Sequence, residues 1–385
     1  MDKLKDLLVN NFHINERIYD INIDADFESI SMLINHHKHC NDFYYHNVDE
    51  TFNENFNKVL CQCKLKSMKL SGLDDSKFDV TFGKSGTDAL NRILNSIHSN
   101  KALFIHTTHE HPCVFEHPLV KTSDQVIIDL DDTDHMVDFN LLNQAIVNNN
   151  IDTIVLSVIC TQSNTGDIAP LEKIKNIQTK IKHILFENEL DIKFYTILDA
   201  TQELFVLKDR DYSFADFIFG SGYLGFSPSL FGYLFYKKSQ HNVVKDLTTM
   251  EYFRSIKPHI SKLNRHLTVV ENTKLEDFTD RINEFFAIVN ERFDLDFRRV
   301  TNNDQLNQIN TLFYFHSDKL DLSDCHYHYT IRDRYYNKDN NVALRIAYCD
   351  LMEDTLNRFP MLIYIYKIIE FKHKGGDFAK YRPQQ

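Results

Sequence analysis

Tryptophan is absent from this sequence, and glycine and proline are scarce, at 10 and 7 among 385 residues. With so few glycines, each marks a place where the backbone needs one. The missing tryptophan, beside heavy use of Asn, Asp, Ile and Lys, reads as an A+T-rich coding bias and not as a functional signature. Long apolar runs are lacking as well. The stretch from Met1 to Asn10 interleaves charges with its leucines, unlike a signal peptide, and no other window reaches the apolar length of a membrane span. Basic charge is in deficit, 43 Lys and Arg against 55 Asp and Glu, and a net charge of -12 leaves nothing to neutralise phosphates along a nucleic acid. The seven cysteines are an odd number spread through a large chain, which fits free thiols in a reducing compartment and not a disulfide framework. The expectation is a soluble cytoplasmic protein with a small-molecule partner, no nucleic acid and no membrane.

What is present is enough apolar residue, 43%, to fill one large core and a smaller one. From Phe78 onward, short β-branched and apolar runs alternate with helical stretches. The runs are Lys101 to Ile105, Gln125 to Asp129, Thr153 to Ile159, Tyr195 to Leu198, Phe217 to Phe219 and Gly232 to Tyr236. Between the third and fourth, Leu171, Ile174, Ile177, Ile181 and Ile184 recur at helical spacing. Runs apolar on both faces and joined by helices predict a mostly parallel sheet covered on both sides, with ligands at the carboxyl ends of the strands. After about Gln240 the alternation stops. A long helical pattern around Ile260 to Phe286 precedes strand-like runs at Gln308 to Phe315, Tyr327 to Ile331 and Val342 to Tyr348, then a helix from about Met352. Three segments follow: residues 1–70 as an arm that joins a small domain, 71–249 as the large α/β domain, and 250–385 as a linking helix with the rest of a small α+β domain.

Several short motifs carry chemistry. In Phe82-Gly-Lys-Ser-Gly-Thr-Asp88, a Ser-Gly-Thr turn opening a helix offers backbone N–H groups, a hydroxyl and the positive end of the helix dipole to an anion, or serves as a cap. His109-Glu-His-Pro112 follows the next strand and reads as a surface loop or a metal pair when taken alone. Gln162-Ser-Asn-Thr-Gly166 is a turn. Leu198-Asp-Ala-Thr-Gln202 places a carboxylate at the end of a strand, where it caps a turn or faces a ligand. Arg345 lies inside an apolar strand-like run and needs an anionic partner, structural or bound. His36-His-Lys-His-Cys40 and Cys61-Gln-Cys63 lack paired zinc-site spacing and read as solvated faces, so no metal site is expected.

The most informative stretch runs from Asp216 through Ser221-Gly-Tyr-Leu224, Pro228 and Gly232 to Phe235. Together with the motifs above, in the same order from Phe78 to Arg345, it resembles the class V aminotransferase and cysteine desulfurase family, pyridoxal-phosphate (PLP) enzymes of fold type I. The resemblance implies an α/β fold of that type, a mainly parallel large domain with a smaller α+β domain. It assigns Gly86, Thr87 and Ser221 to a cofactor phosphate, His111 to stacking on the pyridine ring, and Asn164 and Gln202 to the ring hydroxyl. Asp199 falls to the ring nitrogen, where a carboxylate keeps it protonated, and Arg345 to a substrate carboxylate. Lys84, unusual at its position, adds a charge near the same phosphate.

Three departures accompany the match. Leu224 stands where the family has its Schiff-base lysine, preceded by Tyr223 in place of histidine. Glu251-Tyr-Phe-Arg254 lies where a Gly-Thr-Pro would reach a neighbour's phosphate, and no cysteine sits on a recognisable mobile loop, Cys325 and Cys349 reading as packed. Two functions remain open. In one, a homodimeric enzyme holds pyridoxal or pyridoxamine phosphate non-covalently for an amino-acid-type substrate, with Tyr223 and His111 moving protons. In the other, the fold survives as a non-catalytic binding or partner subunit that needs no cofactor.

Overall fold

The computed structural model describes residues 3–12, 14, 16–26, 29, 56–130, 132, 136–148, 150–163, 165–207, 210–221, 231–244, 260–272, 278–300, 307–309, 312–322, 331–333, 342–347 and 361–377. Seven strands, β1 (Phe78–Gly83), β2 (Ala102–Thr107), β3 (Asp124–Ile128), β4 (Thr153–Ile159), β5 (Lys193–Asp199), β6 (Phe217–Ser221) and β7 (Gly232–Lys237), form one sheet in the order β1-β7-β6-β5-β4-β2-β3. β2 to β6 pair in parallel, and β7 runs against both β1 and β6. Each of the six runs expected for the large domain is a strand.

Period-2 geometry explains why both faces are apolar. Leu103, Ile105, Ile154, Leu156, Val158, Leu198, Ile218, Tyr233 and Phe235 enter one core. The alternate residues Phe104, Val155, Ile197, Phe217, Phe219, Leu234 and Tyr236 enter the other, against the helix Gly86–Ser96. The helix Leu171–Glu187 covers the first face with the expected Leu171, Ile174, Ile177, Ile181 and Ile184.

A second sheet, β8 (Arg298–Arg299), β9 (Leu312–His316), β10 (Ile331–Asp333) and β11 (Val342–Ala347), is antiparallel in the order β10-β11-β9-β8. Its core joins both chain ends: Leu4, Leu7, Leu8 and Phe12 pack with Phe285, Phe286, Phe313, Ile346 and the buried face of the helix Met361–His373. The helix Phe56–Ser71 belongs instead to the large-sheet core through Val59, Cys63 and Met68, beside Ile260, Leu263 and Leu267 of the helix Ile260–Asn272. On that helix Cys61 is exposed and Cys63 buried, so their sulfurs face apart. The sequence pattern from Ile260 to Phe286 contains two helices, the second being Thr279–Phe293. The loop after β4 ties the two sheets together: Ile168 N donates to Asn307 O at 2.8 Å, and Ile309 N to Gly166 O at 2.8 Å.

Candidate active site

The carboxyl edge of the large sheet gathers its polar residues from four turns. After β1 the chain enters the helix Gly86–Ser96, and Ser85 is its N-cap, accepting from Asp88 N at 3.1 Å. Asp88 in turn accepts from Lys84 N at 3.0 Å and pairs with Arg92 at 3.0 Å, which fixes the turn. Gly86 and Thr87 sit in the first helical turn, whose N–H groups lie outside the helix's own ladder. A Cβ on Gly232 of β7 would lie 2.0 Å from Ser85 O, so only glycine lets that strand approach the helix start. An ideal Cβ on Gly86 would lie 3.4 Å from both Ser221 Cβ and Thr201 Oγ1. Gly86, Thr201 and Ser221 therefore meet at one point, with Thr87 exposed beside them and Lys84 exposed at the rim.

After β2, Glu110 and His111 turn the chain into the short helix Pro112–Phe115. His111 Nδ1 accepts from Cys113 N at 3.2 Å and lies 3.0 Å from Cys113 Sγ. An accepting Nδ1 puts the ring proton on Nε2. The His111 side chain is exposed, whereas Glu110 beside it is fully buried. Burial pushes the Glu110 carboxyl up to about 7, opposed by the Thr107 hydroxyl and Ile159 N–H and reinforced by the Asp199 carboxylate. Burial likewise pushes the Cys113 thiol up to about 12, with Asp199 and Glu110 adding to the rise and the Thr87 hydroxyl, in hydrogen-bonding reach, opposing it. Cys113 is thus a thiol and not a thiolate at neutral pH.

β5 ends at Asp199, only 5% exposed, which accepts from Thr201 N at 2.9 Å. Burial raises its carboxyl, while Thr201 and the nearby His111 pull it down. Three residues on, Gln202 Oε1 is buried and has no hydrogen-bond partner among the described residues. Next, Glu203 is fully buried but well satisfied, by Arg210 Nε at 2.9 Å, Tyr212 OH at 2.8 Å and the Thr161 hydroxyl. Arg210 also donates to Ala169 O at 3.0 Å and Cys160 O at 3.3 Å, bracing the turn after β5 against the one after β4.

Thr87, His111 and Asp199 are therefore neighbours, linked through Cys113, and Gly86 touches Ser221. Gln202 follows Asp199 on the same turn. Arg345 stands apart in sequence but is placed on β11 of the small sheet, paired with Tyr314 between the core residues Leu344 and Ile346. Asn164, Tyr223, Leu224, Cys325 and Cys349 lie outside the described residues, as does the His36 to Cys40 cluster. Sequence reasoning overlooked Thr201, Cys113 and the burial of Glu110. Only Glu110 carried a signal, as the residue before His111.

No protein-family model and no curated protein matches this sequence. Solved structures do. A NifS-like protein from Rickettsia africae ESF-5 aligns over 84% of this chain and 91% of its own at TM-score 0.57 and 12% identity. Ureidoglycine-glyoxylate aminotransferase from Bacillus subtilis aligns over 87% and 90% at 0.58 and 12%. A variant of SPT with PLP aligns over 82% and 78% at 0.53 and 10%. The fold is that of the type I PLP-dependent transferases. The strand order and directions above put the carboxyl ends of β1, β2, β5 and β6 on one edge of the sheet. Among the described residues, no helix is long and apolar enough to cross a membrane.

Proposed function

We propose that this chain binds pyridoxal or pyridoxamine phosphate non-covalently at the carboxyl edge of the large sheet and acts there on a small amino-acid-type substrate. The observation that carries this reading is the pair on one turn after β5: Asp199, a buried carboxylate that accepts from Thr201, and Gln202, whose buried Oε1 has no hydrogen-bond partner among the described residues. Buried polar groups are rarely left so in folded proteins. A ring that brings its own protonated nitrogen and hydroxyl fits both.

In this reading the N–H groups of Gly86 and Thr87 and the hydroxyls of Thr87 and Ser221 hold the phosphate. Asp199 keeps a proton on the ring nitrogen, Gln202 and Asn164 meet the ring hydroxyl, and the exposed His111 ring supplies a stacking face. When bound, the ligand supplies an electron sink. With Leu224 in place of the lysine, the nitrogen to be transferred arrives with the ligand or the substrate. His111, with its proton on Nε2, and Tyr223 are the groups that carry protons, and Arg345 from the small domain takes the substrate carboxylate. The chain works as a homodimer, and its four described cysteines, all free thiols, support a cytoplasmic setting.

The test is an absorbance titration with pyridoxamine phosphate, together with the mass of whatever co-purifies. The expected result is saturable binding by the wild type and a loss of about tenfold or more in affinity for Asp199→Ala, the scale of a lost charge-assisted contact. A colourless protein that ignores added pyridoxamine phosphate would support the non-catalytic partner-subunit reading instead.

A further inference from the structure

Glu110 lies outside the groups proposed to hold the ligand, yet it is fully buried and bonded through both carboxyl oxygens. Its Oε1 accepts from the Thr107 hydroxyl at 2.7 Å and from Ile159 N at 2.8 Å. Its Oε2 faces the Ser157 hydroxyl at 3.3 Å. A backbone N–H can only donate, so Oε1 is held as an acceptor. A serine hydroxyl can donate or accept, so Oε2 can be bare or can carry a proton and donate it to Ser157. The cradle serves both charge states of the carboxyl. It also rivets the turn that carries His111 to the end of β4.

The charged and titratable groups around Glu110 come from each neighbouring element. They are Asp199 at the end of β5, Cys160 after β4, and His111 and Cys113 on its own turn, with the Glu203–Arg210 pair next to Cys160. Two buried carboxyls, Glu110 and Asp199, thus share one electrostatic neighbourhood, and holding both ionised there is costly.

We propose that Glu110 is a proton-carrying positioning residue: uncharged in the empty site, it anchors the His111 turn beside Asp199 and gives up its proton to solvent when a cationic ring binds there. This rests on the reading of the site as one for a pyridine-ring phosphate. The step balances, since a carboxylic acid becomes a carboxylate plus a proton released to buffer, and the ring's positive charge replaces the proton's. By reciprocity of linked equilibria, the ligand then binds more tightly as Glu110 ionises. A shift to about 7 on burial puts that change in the neutral range.

Glu110→Gln decides the matter, because a glutamine amide matches the protonated acid: its oxygen accepts from Thr107 and Ile159, and its NH₂ donates to Ser157. Pyridoxamine phosphate affinity is measured by calorimetry for both proteins from about pH 6 to about pH 8. The ligand's own titrations are common to both, so only their ratio matters. The two proteins should bind alike at the acid end, and the wild type should gain about tenfold over Glu110→Gln at the other, the scale of one charge interaction across a partly buried site. Equal pH slopes would overturn the role of Glu110 while leaving the ligand site intact. Absence of binding by either protein at every pH would overturn the site itself, and with it this inference. Should Glu110→Gln fail to fold, wild-type infrared spectra near pH 7 decide, where the empty site still holds part of the acid form: the buried carboxylic-acid C=O band should lose most of its intensity on adding pyridoxamine phosphate, and an unchanged band would contradict the proposal.

Discussion

Glu203 is fully buried, and its charge is held by Arg210 with help from Tyr212 and Thr161. Arg210→Met removes the partner and leaves a buried carboxylate. Urea denaturation should show a loss of about 3–5 kcal/mol at neutral pH. Glu110 makes a second prediction with its sign fixed by its raised value. Its stabilising contribution is complete below the ordinary carboxylate range and is lost as pH rises through about 7. Relative to Glu110→Gln, the wild type should lose stability on the order of 3 kcal/mol from about pH 4 to about pH 8, read from denaturant midpoints. A difference that is flat with pH would contradict the burial argument. At this scale the sequence was partly legible. Asp199 and His111 stood in short motifs whose spacing from neighbouring strands could be read directly. Glu110's burial could not be read, because its partners Ser157 and Ile159 lie 47 and 49 residues away on another strand.

Elements were the most legible part of the chain. Strands β2, β4, β6 and β7 are buried along most or all of their length, so their apolar runs stand out from the amphipathic helices between them. The break between the helices Ile260–Asn272 and Thr279–Phe293 was invisible, because apolar residues continue at helical spacing on both sides while packing into different cores. The start of the helix Gly86–Ser96 depends on two residues that act at different distances. Ser85→Ala removes the cap and should cost about 1 kcal/mol. Gly232→Ala forces a Cβ to within 2.0 Å of Ser85 O, so the strand or the helix start must move. That substitution should cost about 1–3 kcal/mol and weaken phosphate-ligand binding more than Ser85→Ala does. Equal binding by the two variants would mean that the close approach of β7 does not shape the proposed phosphate site.

Taken whole, the molecule has the architecture that the sequence resemblance implied, a seven-stranded mainly parallel sheet joined to a four-stranded antiparallel one, and solved structures share it at 10–14% identity. So low an identity fixes a fold and leaves chemistry to individual side chains. A homodimer is expected by light scattering at micromolar concentration. The central claim, as proposed above, is that the pocket keeps a place for a pyridoxal-type phosphate although Leu224 stands where the covalent anchor would be. The most direct test is to incubate Leu224→Lys and the wild type with PLP, reduce both with borohydride, and measure intact and peptide masses. Attachment of the cofactor at residue 224 in the variant, with no adduct on any site lysine of the wild type, is the predicted result. A wild-type adduct at Lys84 or elsewhere in the site, or a folded Leu224→Lys protein that takes up no PLP, would contradict it.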